Sequence, residues 1–265
     1  MTATAAVEPA AGYLGGKRRL ATRLIERIEA VPHRLYAEPF VGMGGVFLRR
    51  RSAARAEAIN DISGDVANFF RVLQRHPEAL LDLMRWRLSS RVEFERLRRQ
   101  DPSSLTDLER ADRFLFLQRL SYGGKVKART FGTDAGSPAR YNPGRLEPKL
   151  RAIHRRLSSV TIEQLPYAEF IRRYDRPDTL FYLDPPYWGC EGDYGAGVFD
   201  REDFARLAEQ LAGIQGKFLL SINDTPGARE VFGRFVLEDV ETTWSVGARV
   251  GAQSKVGELI IRNYA

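Results

Sequence analysis

Only one cysteine, Cys190, and three histidines, His33, His76 and His154, occur in 265 residues. A lone cysteine excludes an internal disulfide and any cysteine-based zinc site, which suits a reducing cytoplasm. The histidines are scattered without the spacing of a ligand set, so no metal site is expected. No internal repeat or low-complexity tract is present. The segment from Met1 to Gly12 has neither the basic start nor the long apolar run of a signal peptide or membrane anchor, and is expected to be a loose tail without membrane association. With 43% hydrophobic residues, the chain can bury one substantial core plus a smaller appendage.

Acidic residues are scarce where basic ones are dense. The net charge of +7 divides as +4 over residues 1–62, +9 over 63–158 and −6 over 159–265. The middle third is therefore the expected electrostatic footprint of a nucleic acid, and its arginine excess suits phosphate forks. Most of these arginines, as in Arg85-Trp86-Arg87 and Arg96 to Arg99, recur among apolar residues at helical spacing and read as solvated helix faces. The stretch from Gln118 to Gly132 differs: it is glycine-rich and basic with interleaved aromatics, a composition for a loop that tracks phosphates and reaches bases.

The most informative residues are Asp184-Pro185-Pro186-Tyr187, which end a buried-strand run, Thr179 to Leu183. The prolines fix their own φ, and Pro186 also holds Pro185 extended, so the carbonyls at this strand end point outward. The Asp184 carboxylate and the Pro185 carbonyl can take the two hydrogens of an exocyclic amine while Tyr187 stacks on the base, an arrangement suited to a flipped-out nucleobase. Such an amine is a poor nucleophile because its lone pair is delocalised; two acceptors on its hydrogens favour the pyramidal form as positive charge develops. The alternative is a loop punctuated by Pro-Pro with the aspartate as a cap.

A second strand-turn signal lies upstream. Leu35 to Leu48 reads as strand, glycine turn and helix, with Phe40, Gly42 and Gly44 at the turn, and Glu57 to Asp61 reads as a strand ending in an acid. Such a turn admits close backbone approach of a nucleotide-type cofactor, and an acid some twenty residues on reaches ribose hydroxyls. The spacing permits NAD, although Gly-x-Gly-Gly is not Gly-x-Gly-x-x-Gly. Before it, Tyr13-Leu14-Gly15-Gly16-Lys17 precedes a helix expected over 18–30 with Leu20, Leu24, Ile25 and Ile28 on one face.

In this order, with a basic insertion before the Asp-Pro-Pro-Tyr strand end, these motifs resemble the Dam-like, alpha-group DNA adenine N6-methyltransferases over about Tyr13 to Tyr264. The resemblance implies S-adenosylmethionine as cofactor, with Tyr13, Lys17, Phe40, Gly42, Gly44 and Asp61 around it and Asp184 between cofactor and target. It implies double-stranded DNA as partner, Asp184, Pro185 and Tyr187 as the catalytic group, and Arg119 and Tyr122 at the entry of a recognition hairpin. Lys125, Lys127, Arg129 and Arg140 are the further DNA contacts expected from composition. Tyr13 stands where the family often has tryptophan, and residues 124–138 depart from better-known members.

The expected fold is α/β: a doubly wound methyltransferase sheet with strands near 34–38, 57–61, 160–163, 179–183 and 217–222 and an antiparallel hairpin at 236–243 and 256–262. Residues 13–62 and 151–265 would form the catalytic domain, and 63–150 an inserted helical recognition lobe. Cys190 reads as packing. The glycine-rich run 189–197 reads as a lid or as a connector to a helix capped by Asp200. The expected activity is site-specific methylation of adenine N6 in duplex DNA by a monomeric enzyme, as in restriction-modification systems. Alternatives are cytosine N4 or RNA adenine as acceptor, a nicotinamide dehydrogenase, and a DNA-binding module without activity.

Overall fold

The computed structural model describes residues 2–132, 136–195, 197–244 and 254–265. Its first elements are β1 (Thr2–Ala3), α1 (Ala21–Ala30), β2 (Leu35–Glu38), β3 (Ser52–Ala53) and β4 (Ala56–Asn60). A helical stretch follows: α2 (Gly64–Arg75), α3 (Pro77–Arg85), α4 (Arg91–Arg99), α5 (Asp107–Leu120) and α6 (Pro143–Leu157). The remainder alternates as β5 (Val160–Glu163), α7 (Tyr167–Tyr174), β6 (Thr179–Leu183), α8 (Arg201–Ala212), β7 (Lys217–Asn223) and α9 (Pro226–Phe232), and ends in β8 (Val236–Trp244) and β9 (Ser254–Arg262).

Seven strands form one sheet in the order β5-β4-β2-β6-β7-β9-β8. The five from β5 to β7 are parallel, and β9 runs antiparallel to both β7 and β8. Side-chain alternation explains why β6 is apolar throughout: Leu180 and Tyr182 enter one hydrophobic cluster while Phe181 and Leu183 enter the other. The first cluster runs from Tyr36 and Ile59 of the sheet through Phe69 of α2 to Phe114 and Phe116 of α5, so the helical stretch shares a continuous core with the sheet. The second packs α7, α8 and α9 on the opposite face through Phe170, Phe204, Leu207 and Phe232. Burying each such aromatic contributes roughly 1.5–3 kcal/mol, and truncating one to alanine would cost about 3–5 kcal/mol.

Local signals set the helix ends. Thr106 with Glu109 and Asp200 with Asp203 form reciprocal capping boxes on α5 and α8. Pro226 opens α9, where Thr225 accepts from Ala228 N–H. Helix α1 begins at Ala21 rather than 18, on a residue without a side-chain cap.

Two sequence expectations are corrected. Residues 2–11 are not a loose tail: β1 pairs antiparallel with β3, and Val7, Ala10 and Ala11 are buried. Their backbone acceptors are met from distant helices, with Lys149 donating to Pro9 O and Arg119 to Ala10 O. Small residues fit tightly there, but partners supplied from α5 and α6 leave no periodic trace in the tail itself. Second, the turn after β2 leads only to a single 3-10 turn, Phe47–Arg49, before the chain extends into β3.

Candidate active site

The sheet order reverses between β2 and β6, because the chain proceeds from β2 outward through β4 to β5 and then returns to the other side of β2. Ligand crevices form at carboxyl ends of strands beside such a switch point. Here the two strand ends deliver Glu38-Pro39-Phe40 and Asp184 to a single cavity of about 1110 Å³, walled also by Tyr13, Lys17 and Asp61. One ligand pocket commonly takes ~300–1,000 Å³, so this space is of the size of a large ligand site.

One half of the cavity is built from backbone. Gly42 sits at φ +50°, and a Cβ placed there would lie 2.9 Å from the Tyr13 ring. Glycine is therefore required both for the left-handed conformation and for the approach of that ring. Gly44 (φ +74°) is likewise closed by Leu48. Asp61, just past β4, anchors the turn: its Oδ2 accepts from Gly42 N–H and its Oδ1 from Ser63 N–H, both at 2.9 Å. Burial pushes the Asp61 carboxyl up to about 6 despite those two donors. Phe40 packs against Tyr167 and Phe199 at ring separations of 5.6 and 6.0 Å. Glu38 was not singled out from the sequence. It is buried, accepts from Tyr36 O–H at 2.8 Å, lines the cavity, and is pushed up to about 8 by burial. Its only sequence signal is an acid closing an apolar strand.

The other half is ionic. Lys17 is buried, and its Nζ lies 2.8 Å from Asp184 Oδ1 and 2.5 Å from the Tyr187 hydroxyl, to which it donates. The Tyr187 hydroxyl in turn donates to Glu258 Oε1 on β9. Burial raises the Asp184 carboxyl to about 6, against the opposing pull of Lys17 and with a further push from Glu258. Asp184 and Pro186 stand on the cavity wall, whereas Pro185 and Tyr187 lie behind it, and Tyr187 is only 7% exposed. The turn continues into Trp188, whose backbone N–H and C=O are clasped by the Asn223 amide (2.8 and 3.0 Å). Asn223 at the end of β7 thus fixes the turn. Cys190 is exposed rather than packed.

The glycine-rich run folds back over the segment around Tyr13 and Leu14. The Tyr194 hydroxyl donates to Leu14 O at 3.0 Å, its ring lies 6.1 Å from that of Tyr13, and Tyr194 and Gly197 line the cavity. Residue 196 lies outside the described residues.

The expected DNA-contact residues separate into two groups. Tyr122, Lys125, Lys127 and Arg140 are exposed. Arg129 is not: it is buried, with Nη2 donating to Gln118 Oε1 at 3.1 Å and Nε to Lys125 O at 3.4 Å, so it braces the loop from inside. Arg119 directs its guanidinium to Arg140 O (2.5 and 3.1 Å) and Ala10 O (3.3 Å). Each arginine has a loop carbonyl to satisfy, a need that spacing does not reveal. Among the described residues, hairpin character is confined to an antiparallel bridge between Ser121 and Phe131; residues 133–135 of the expected recognition loop lie outside them.

Comparison with known proteins gives this geometry its chemistry. Residues 13–246 match the family model of the D12 class N6 adenine-specific DNA methyltransferases. The chain belongs to this family. Among curated relatives, it is 26% identical to the "Type II methyltransferase M1.LlaDCHI" of Lactococcus lactis subsp. cremoris over 97% of this chain and 96% of that protein. Against the "Type II methyltransferase M.CviBI" of Paramecium bursaria Chlorella virus NC1A it is 22% identical over 86% and 89%. The "DNA adenine methylase" of Escherichia coli (strain K12) is 27% identical over 84% of each chain. As a D12-class methyltransferase, the protein is an S-adenosylmethionine-dependent enzyme that methylates adenine in DNA on a Rossmann-like sheet. The dehydrogenase and non-catalytic alternatives are thereby set aside. Among the described residues, no helix is long and apolar enough to cross a membrane, and no cluster of His, Cys, Asp or Glu could hold a metal ion.

Proposed function

We propose that the cavity holds S-adenosylmethionine against β2 and β4 and a flipped adenine against Asp184, for site-specific methylation of N6 in double-stranded DNA. S-adenosylmethionine supplies an electrophilic methyl group. Tyr13, Phe40, Gly42 and Gly44 form the cradle for its methionine end, Asp61 faces the ribose, and Lys17 lies beside Asp184. What supports the fit is the donor set: a glycine turn that excludes any Cβ, next to a buried carboxylate.

Asp184 takes a hydrogen of the adenine amine from the cavity wall, while Pro185 and Tyr187, which do not line the cavity, hold the turn that presents it, Tyr187 being fixed at its hydroxyl and covered on its ring by the Lys17 ammonium. With the amine attacking a methyl group whose bond to sulfur breaks to leave S-adenosylhomocysteine, the Asp184 carboxylate would meet the positive charge developing on nitrogen, and the surplus amine proton would pass to solvent. The observation that carries this reading is the convergence of Asp184 and Asp61 on one cavity from strand ends on opposite sides of β2.

Residues 63–150 form the recognition lobe, where Tyr122, Lys125, Lys127 and Arg140 meet DNA while Arg119 and Arg129 brace the loop that presents them. The enzyme acts as a monomer in the cytoplasm. Transfer of labelled methyl from S-adenosylmethionine to duplex DNA, followed by nucleoside mass spectrometry, tests the reading. N6-methyladenine is the expected product, and N4-methylcytosine or an absence of label in DNA would overturn it.

A further inference from the structure

The Lys17 ammonium lies between two carboxylates that arrive from different elements. Asp184 Oδ1 is 2.8 Å away at the end of β6, and Glu258 Oε2 is 3.7 Å away on β9, a strand at the far side of β7. The Tyr187 hydroxyl links the same two elements, accepting from Lys17 and donating to Glu258 Oε1. Glu258 is 2% exposed, it does not line the cavity, and its Oε2 has no hydrogen-bond partner among the described residues. A buried carboxylate oxygen without a donor is costly and calls for a reason.

We propose that Glu258 is a positioning residue for methyl transfer, holding the Lys17 ammonium and the Tyr187 hydroxyl toward β9 so that Asp184 remains an available acceptor for the target amine. The charges explain the need. One ammonium facing Asp184 alone would form a neutral pair, weakening the pull of the carboxylate on the positive charge developing at the amine, although its second oxygen stays free to accept. Two carboxylates sharing that ammonium leave one negative charge over the group, and the oxygen nearer the cavity belongs to Asp184. Glu258 touches neither ligand and acts only through Lys17 and Tyr187. The inference rests on the assignment of Asp184 as the amine acceptor.

Glu258→Gln keeps the size and removes the charge. With the full chain, single-turnover methylation at saturating cofactor and duplex should slow by about tenfold, the scale of coupling between neighbours in one network. Cofactor and duplex dissociation constants and the melting temperature should change less than about twofold or 2 °C, well below that coupling. Glu258→Asp restores charge and should recover much of the rate, and adding Glu258→Gln to Tyr187→Phe should cost less than the product of the two single losses. An unchanged rate in Glu258→Gln, a Glu258→Asp enzyme as slow as Glu258→Gln, or a rate loss matched by equal losses of cofactor affinity and stability would each overturn the proposal. A parent protein that fails to methylate adenine would instead remove the underlying reading.

Discussion

Replacing Asp184 with alanine tests the centre of the site most directly. Two effects follow, on different scales. The acceptor of the developing charge is lost, and removing one preorganised hydrogen-bond partner of a transition state costs on the order of 10²–10³ in rate. The buried Lys17 ammonium also loses its 2.8 Å partner. Leaving one partner of a buried pair alone costs about 3–5 kcal/mol when nothing compensates, but Tyr187 and Glu258 remain against Lys17, so the fall in stability should be well below that. Asp184→Asn separates the effects, since it retains an oxygen and the shape but not the charge. Single-turnover transfer of labelled methyl at saturating cofactor and duplex should be at least about a hundredfold slower in both variants, while duplex affinity changes little. An Asp184→Asn enzyme within about threefold of the parent would refute the role of the carboxylate, because its charge would then supply less than 1 kcal/mol to the transition state.

Further outcomes follow from the same geometry. Since burial raises Asp184 and Asp61 to about 6, the single-turnover rate should fall as pH drops through about 6 and the Asp184 acceptor protonates. For these two groups the folded state binds protons more tightly than the unfolded chain, so between about pH 6 and 4 their contribution to stability should rise as pH falls; pH-rate profiles and parallel melting curves test both signs. Gly42→Ala would force a Cβ to 2.9 Å from the Tyr13 ring at positive φ, and Asp61→Asn would replace one acceptor oxygen by a donor facing Gly42 or Ser63 N–H. Both should weaken cofactor binding in calorimetry by at least about tenfold, on the scale of ~1–3 kcal/mol for an unmet buried group. Neutralising Lys125 and Lys127 should lower affinity for all duplexes alike and flatten the salt slope by roughly 1–2 units. Arg140→Ala, by contrast, should cost about 1–3 kcal/mol on the preferred site only; equal loss on a scrambled duplex would make it a phosphate contact.

Local chemistry alone determined much of this protein. The strands expected near 34–38, 57–61, 160–163, 179–183 and 217–222 formed at 35–38, 56–60, 160–163, 179–183 and 217–223; β6, buried throughout, is the clear apolar run, whereas the edge strand β5 (Val-Thr-Ile-Glu) is only partly buried. The Asp184-Pro185-Pro186-Tyr187 turn and the Gly42 turn were legible because proline and glycine restrict or free the backbone in ways that need no distant partner. Tertiary structure decided what depends on residues far apart in the chain. The N-terminal segment is ordered because β3, Arg119 and Lys149 supply its partners. Arg119 and Arg129 turn inward because loop carbonyls need donors, whereas their sequence neighbourhood shows only positive charge. Glu258, an acid in a closing strand, reaches Lys17 and Tyr187 only because β9 inserts antiparallel beside β7. A carboxylate's role depends on which charge it meets, and that meeting is fixed by the order of strands in the sheet.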